Sequence, residues 1–228
     1  MAKMFASTCL LISVLSGFLF SCNQQAMQEG GVVEGQTVET TATEGEGMVY
    51  DVNLSSLNSE ANDGRDVSGT ARFEVRDSLL LITVNAEGLE PNTMHLQHLH
   101  SFETPADASC PPGMEADTNK DGIIDLIETR QSAGITMIPL HDNPVNMEIK
   151  TDTYPTTDNE GKLSYQKTVN LNELSSAYKE KFGMDIDLTR HVIFIHGVGS
   201  DASLPASVQS LPDVPAHVTL PVACGAID

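Results

Sequence analysis

Met94-His95-Leu96-Gln97-His98-Leu99-His100 is the stretch on which the fold turns. A strand sends successive side chains to opposite faces, so His98 and His100 project from one face together with Leu96. A second apolar run, Arg190-His191-Val192-Ile193-Phe194-Ile195-His196, ends on another imidazole. Cys110 follows the first run, and Cys224 lies in the tail Ala223-Cys224-Gly225. A histidine pair, a distant third ring and two cysteines able to tie loops together point to a metal site on a stapled β-scaffold.

Outward from these runs the chain reads mostly as strands. Val67 to Val75 alternates, Asp77-Ser78 makes a turn, and Leu79 to Val84 forms the next strand. Gly88-Leu89-Glu90-Pro91-Asn92 is a turn before the histidine strand. Ile135 to Leu140, Val145 to Lys150, Leu163 to Val169, His191 to His196 and Val218 to Val222 continue the series. Spacing of this kind predicts an all-β antiparallel sandwich or barrel. One helix interrupts it, from Leu171 to the glycine stop at Gly183.

The chain opens with Lys3 and an apolar run from Leu10 to Phe20, which reads as a secretory signal, too short for a good spanning helix. Leu19-Phe20-Ser21-Cys22 looks like a bacterial lipobox, whose cysteine is acylated and becomes the mature first residue. Residues 1–21 are thus expected to be a lipoprotein signal peptide, 22–47 a disordered tether, and 48–228 a single domain. The expected place is the bacterial cell envelope, periplasmic or surface-exposed, with the lipid bilayer as a partner through acylated Cys22. Cys9 leaves with the signal and Cys22 takes the lipid, so Cys110 and Cys224 remain to form one disulfide in an oxidising compartment. A formal charge of -20 argues against nucleic acid and against anionic lipid surfaces as partners.

Several landmarks, in order, resemble the copper/zinc superoxide dismutase superfamily. Gly88-Leu89-Glu90-Pro91 resembles its Gly-Leu-x-Pro turn, and His95-x-x-His98-x-His100-x-Phe102 its histidine strand. Cys110 stands where the family has a cysteine, His196 where a later strand ends in a copper ligand, and Ala223-Cys224-Gly225-Ala226-Ile227 resembles the closing segment. The resemblance covers most of Val67 to Asp228. It implies a Greek-key β-sandwich or barrel, copper held by His98, His100 and His196 as the catalytic ligands, a structural role for His95, and the Cys110–Cys224 disulfide. A similar His-x-x-His-x-His signature occurs in CHRD-type binding domains.

The chain also departs from that family. Pro111 to Ala116, where the zinc loop belongs, contains no histidine, so no ordinary zinc site is expected. His141 is the candidate between Cys110 and the helix; it either completes the copper site or occupies a surface turn. Pro221 stands where the family keeps an arginine that attracts superoxide.

A second metal motif fills the gap. Asp117-Thr118-Asn119-Lys120-Asp121-Gly122-Ile123-Ile124-Asp125-Leu126-Ile127-Glu128 resembles the EF-hand calcium loop. Asp117, Asn119, Asp121, Asp125 and Glu128 supply side-chain oxygens, Ile123 a carbonyl, and Gly122 the sharp turn. Pro111-Pro112 leaves no clear helix ahead of it, so a lone structural calcium loop within an insertion is expected. Two functional readings follow: copper-based superoxide dismutation, or a non-catalytic copper- and calcium-binding module, CHRD-like in kind.

Overall fold

The computed structural model describes residues 47–228. The expected signal peptide, Cys22 and nearly all of the tether lie outside the described residues. Eight strands form one antiparallel sheet: β1 (Met48–Ser56), β2 (Ser68–Arg76), β3 (Leu79–Glu87), β4 (Leu96–Ser101), β5 (Ile135–Pro139), β6 (Leu163–Asn170), β7 (Val192–His196) and β8 (Pro221–Ala226). Their order across the sheet is β5-β4-β7-β8-β1-β2-β3-β6. β1 joins the two halves: Met48 to Leu54 pair with β2, whereas Ser55 and Ser56 pair with Cys224 and Ala223 of β8. The sheet therefore curls over a single main core, which takes Phe73 and Val75 from β2, Ile82 and Val84 from β3, and Ile193 and Ile195 from β7.

The alternation read in the sequence is the one observed in the hairpin of β2 and β3. Ala71, Phe73 and Val75 point inward, as do Leu80, Ile82, Val84 and Ala86. Asp77 at the turn takes φ 53°, a left-handed conformation that aspartate tolerates. Three helices, rather than one, accompany the sheet among the described residues: α1 (Leu126–Ala133), α2 (Leu171–Phe182) and α3 (Ala216–Thr219). α2 is the expected helix. Asn170 caps its start, Gly183 ends it with φ 73°, and Leu174 and Tyr178 are its buried stripe. No helix among the described residues is long and apolar enough to cross a membrane.

Two expected strands differ. The Val145 to Lys150 segment is no strand; Pro144–Asn146 forms a tight turn and Met147 follows at φ 56°. Proline fixes its own φ and removes a ladder donor, which outweighs the β-prone residues beside it. The last strand begins at Pro221, not Val218, because Ala216–Thr219 closes one helical turn after Pro215. β1 is a strand that the periodicity reading passed over.

β4 lies between β5 and β7 and is buried from Gln97 to Ser101. One face, carrying Leu99, packs into the main core. The other carries the histidines, and the segment between β4 and β5 together with the 198–220 loop covers it. A second small core of Ala133, Val192, Phe194 and Cys224 sits on this covered face.

Candidate metal centre

Strand register brings the three rings together. In the β4–β7 ladder Leu96 pairs with His196, His98 with Phe194, and His100 with Val192. Directly paired residues share a face, so His196 sits diagonally across from His98. The ring centroids are 5.3 Å apart for His98 and His196, 5.6 Å for His100 and His196, and 5.9 Å for His98 and His100. One potential ligand nitrogen from each ring lies within 4.8 Å of the others. Exposure of the three residues is only 3%, 1% and 1%.

Hydrogen bonding divides each ring into a held side and a free side. Tyr154 Oη donates to the carbonyl of Ile149 (3.1 Å), so it receives the Nε2–H of His98 at 2.8 Å. His196 Nδ1 faces the carbonyl of Thr219 at 2.9 Å; a carbonyl only accepts, so the proton is on Nδ1. His100 Nε2 lies 3.1 Å from Thr136 Oγ1, on the residue directly opposite it in β5. That leaves Nδ1 of His98, Nδ1 of His100 and Nε2 of His196 buried without partners. A buried polar atom without a partner is costly, and three in one place fit an ion that would take their lone pairs. Burial foremost, reinforced by the neighbouring rings, holds His98 and His100 well below the ordinary histidine range. Burial lowers His196 to about 4, against the bond to Thr219. All three rings are therefore neutral near pH 7, the state in which imidazole binds metal.

The other histidines have different places. His95 is buried, with Nδ1 3.0 Å from the His196 carbonyl and Nε2 3.2 Å from that of Glu90. It locks the end of β7, and Gly197, at φ 113°, lets the chain turn away there; a Cβ on Gly197 would stand 3.2 Å from His95 Nδ1. His141 does not join the trio. Its Nε2 donates to the Glu148 carbonyl (2.8 Å) and its Nδ1 accepts from the Asn143 N–H (3.0 Å), so both nitrogens are engaged. Its ring packs edge-on against Tyr154, the residue that holds His98. His191 caps Tyr178 at 3.2 Å on the far side.

Cys110 and Cys224 form a disulfide with a Cα–Cα distance of 5.8 Å. Phe194 pairs with His98 on one side and Cys224 on the other, so the bridge anchors the insertion to the face that carries the rings.

The acidic loop is compact. Asp117 Oδ1 accepts from Lys120 N (2.7 Å) and its Oδ2 from Gly122 N (2.9 Å). Glu128 joins the two ends of the loop: Oε1 accepts from Thr118 N (2.7 Å) and Oε2 from Asp125 N (3.0 Å). Asp125 in turn caps α1 through Ile127 N and Glu128 N. Asn119 accepts from Asp121 N, and Ile123 N donates to Asp121. The carboxylates face backbone amides rather than one another. Among the described residues, the histidine trio is the close group of three or more histidine, cysteine or acidic donors. The loop also grips the covering segment, since Ser207 Oγ donates to Asp121 (2.6 Å) and Gln209 N to Asp125 (2.7 Å).

A cavity of about 20 Å³ touches His98 and His196 under Leu96, Leu126, Ile149 and Leu211. Sequence reasoning missed these covering residues, and also Tyr154, Thr136 and Thr219. Only Thr136 had a legible signal, as the partner of His100 across two neighbouring strands.

No known family and no curated protein matches this chain. Among solved structures, a single-mutant form of a SOD-like protein from Bacillus subtilis is similar to it, with 19% identity over 78% of this chain and 96% of that one, and a TM-score of 0.40. A double-mutant form of a SOD-like protein from the same organism gives 17% identity, 78% and 95% coverage, and a TM-score of 0.40. What this chain binds is read from its own side chains.

Proposed function

We propose that this chain is a metal-binding protein of the bacterial envelope whose centre, His98, His100 and His196, holds one copper ion. The observation that carries the reading is the set of three unpartnered, buried ring nitrogens, each on a ring fixed at its other nitrogen. Neutral imidazole suits copper in both oxidation states, and a buried sheet face holds the rings through a change of charge. Copper bound there would supply one-electron redox chemistry. Tyr154, Thr136 and the Thr219 carbonyl would orient the ligands, and the apolar cover would exclude water. Copper analysis of the protein expressed without its first 21 residues should give about one ion per chain. His196→Ala should abolish uptake while leaving the sheet intact by circular dichroism; full uptake in that variant would remove the reading.

Storage or delivery of the ion is the better-supported use. The rings are almost fully buried, and Pro221 occupies the place where the resembling family keeps its superoxide-attracting arginine. Superoxide turnover is the second reading, favoured by a larger cavity against His100. An assay of copper-loaded protein separates the two.

Two further parts belong to this proposal. Acylated Cys22 would anchor the domain to the bilayer through a flexible tether. The Asp117–Glu128 loop would bind calcium, its carboxylates exchanging backbone amides for the ion, as hard oxygen donors favour. Chelating calcium should then lower the melting temperature by several degrees; an unchanged value at saturating calcium would sink that part.

A further inference from the structure

The donors gathered at the centre are all neutral. Each imidazole has one nitrogen engaged, by Tyr154 Oη, Thr136 Oγ1 or the Thr219 carbonyl, and its other nitrogen buried without a partner. A ring that keeps one N–H and offers the other nitrogen's lone pair carries no charge. No carboxylate joins the rings: among the described residues, the close group of donors is made of the three histidines alone. Cys110 and Cys224 are bonded to each other, so neither offers a thiolate. The cavity against His98 and His196 measures about 20 Å³, and its walls are Leu96, Leu126, Ile149 and Leu211 with two threonines. A space of that size is close to that of one water, so it has little room for further donors.

Taking an ion out of water costs free energy that grows with the square of its charge, so burying a dication costs about four times as much as burying a monocation. Anionic donors offset that cost in many sites for divalent ions, and none stands here. Divalent copper and zinc also ask for four donors or more, one beyond the three nitrogens on offer. Monovalent copper carries half the charge, and its closed d shell demands no set geometry. We propose that the centre selects monovalent copper over divalent copper and zinc, so that the ion this chain stores or delivers is cuprous. The inference rests on the metal-centre reading and deepens it, by naming the oxidation state of the cargo. Imidazole by itself suits both states of copper; the missing anion and the missing fourth donor decide between them. A strong preference for one state also weighs against rapid cycling between the two.

The test measures Kd for Cu(I), Cu(II) and Zn(II) on residues 22–228, by competition against coloured chelators in one buffer. Cu(I) is kept reduced with ascorbate, which spares the disulfide, and Ag(I) serves as a monovalent probe that cannot change state. Cu(I) should bind on the order of a hundredfold more tightly than Cu(II), which places the reduction potential about 120 mV above that of the free ion pair. Ag(I) should shift the ring signals of His98, His100 and His196 in NMR spectra, and Zn(II) at the same concentration should not. Leu211 is half-buried and lines the ring cavity, so Leu211→Glu brings a carboxylate to the rings. That variant should bind Cu(II) and Zn(II) about tenfold more tightly than the parent, whereas Leu211→Gln should keep the parent's preference. A parent that binds Cu(II) or Zn(II) as tightly as Cu(I) overturns this proposal and leaves the metal-centre reading standing. A folded Leu211→Glu with the parent's preference overturns it as well. A parent that binds copper in neither state overturns the metal-centre reading and this proposal together.

Discussion

Each imidazole of the centre has one nitrogen held and the other left over, and that division makes the residues a candidate site rather than a polar patch of core. Tyr154 does this for His98, Thr136 for His100 and a bare carbonyl for His196. The same burial has a consequence for pH. Unfolded, these rings take up protons near pH 6.5. Folded, His196 does so only near 4, and His98 and His100 are also lowered. Between those values the unfolded chain binds more protons, so stability falls as pH drops from about 6.5 towards 4. His196 alone accounts for about 3 kcal/mol of that loss. Metal-free protein should melt at a lower temperature at pH 5 than at pH 7, and His196→Gln should flatten the dependence. A melting temperature that holds steady over that range in the parent would contradict neutral buried rings. His98, His100 and His196 were legible as strand-borne histidines. Tyr154 was not, because it comes from an irregular segment whose path no periodicity encodes.

At the scale of elements, β4 and α1 do most to place the site. β4 is buried on both faces, so its histidine side looks into a second small core and not into solvent. The alternation of Leu96, His98 and His100 was readable, but the cover over that face was not. α1 was missed although its signal was present: Asp125 and Glu128 form a capping box, hidden inside the stretch read for its oxygen donors. Asp125 accepts from Ile127 N, Glu128 N and Gln209 N, so it starts the helix and also fastens the loop that carries Leu211. Asp125→Ala should cost about 2 kcal/mol, read from the urea midpoint, and Asp125→Asn clearly less. Equal losses in both variants would mean that charge, not the acceptor geometry, is what the position needs. β1 was legible, since Tyr50-Asp51-Val52-Asn53-Leu54-Ser55 alternates inward apolar with outward polar residues; only the exposed Met48 and Val49 at its start depart from that pattern.

For the whole molecule, the curl of one sheet and one disulfide decide what meets what. The Cys110–Cys224 bridge spans 114 residues and pins the insertion to the β8 end of the site. Chain-entropy reasoning gives the bridge about 5 kcal/mol. Cys110→Ser with Cys224→Ser should lower stability by about that amount in denaturant titrations, and copper affinity should fall as the cover loosens. A double variant as stable as the parent would show that the insertion seats itself without the bridge. Local pattern was enough to determine most strands, the helix from Leu171, the histidine triplet and the cysteine pair, because strand alternation, helix caps and residue chemistry act over a few residues. Only the tertiary structure decided that His141 stays outside the trio and that α1 and the 198–220 loop cover the rings. Those outcomes depend on sheet register and on packing between segments far apart in the chain, which no short window of sequence contains.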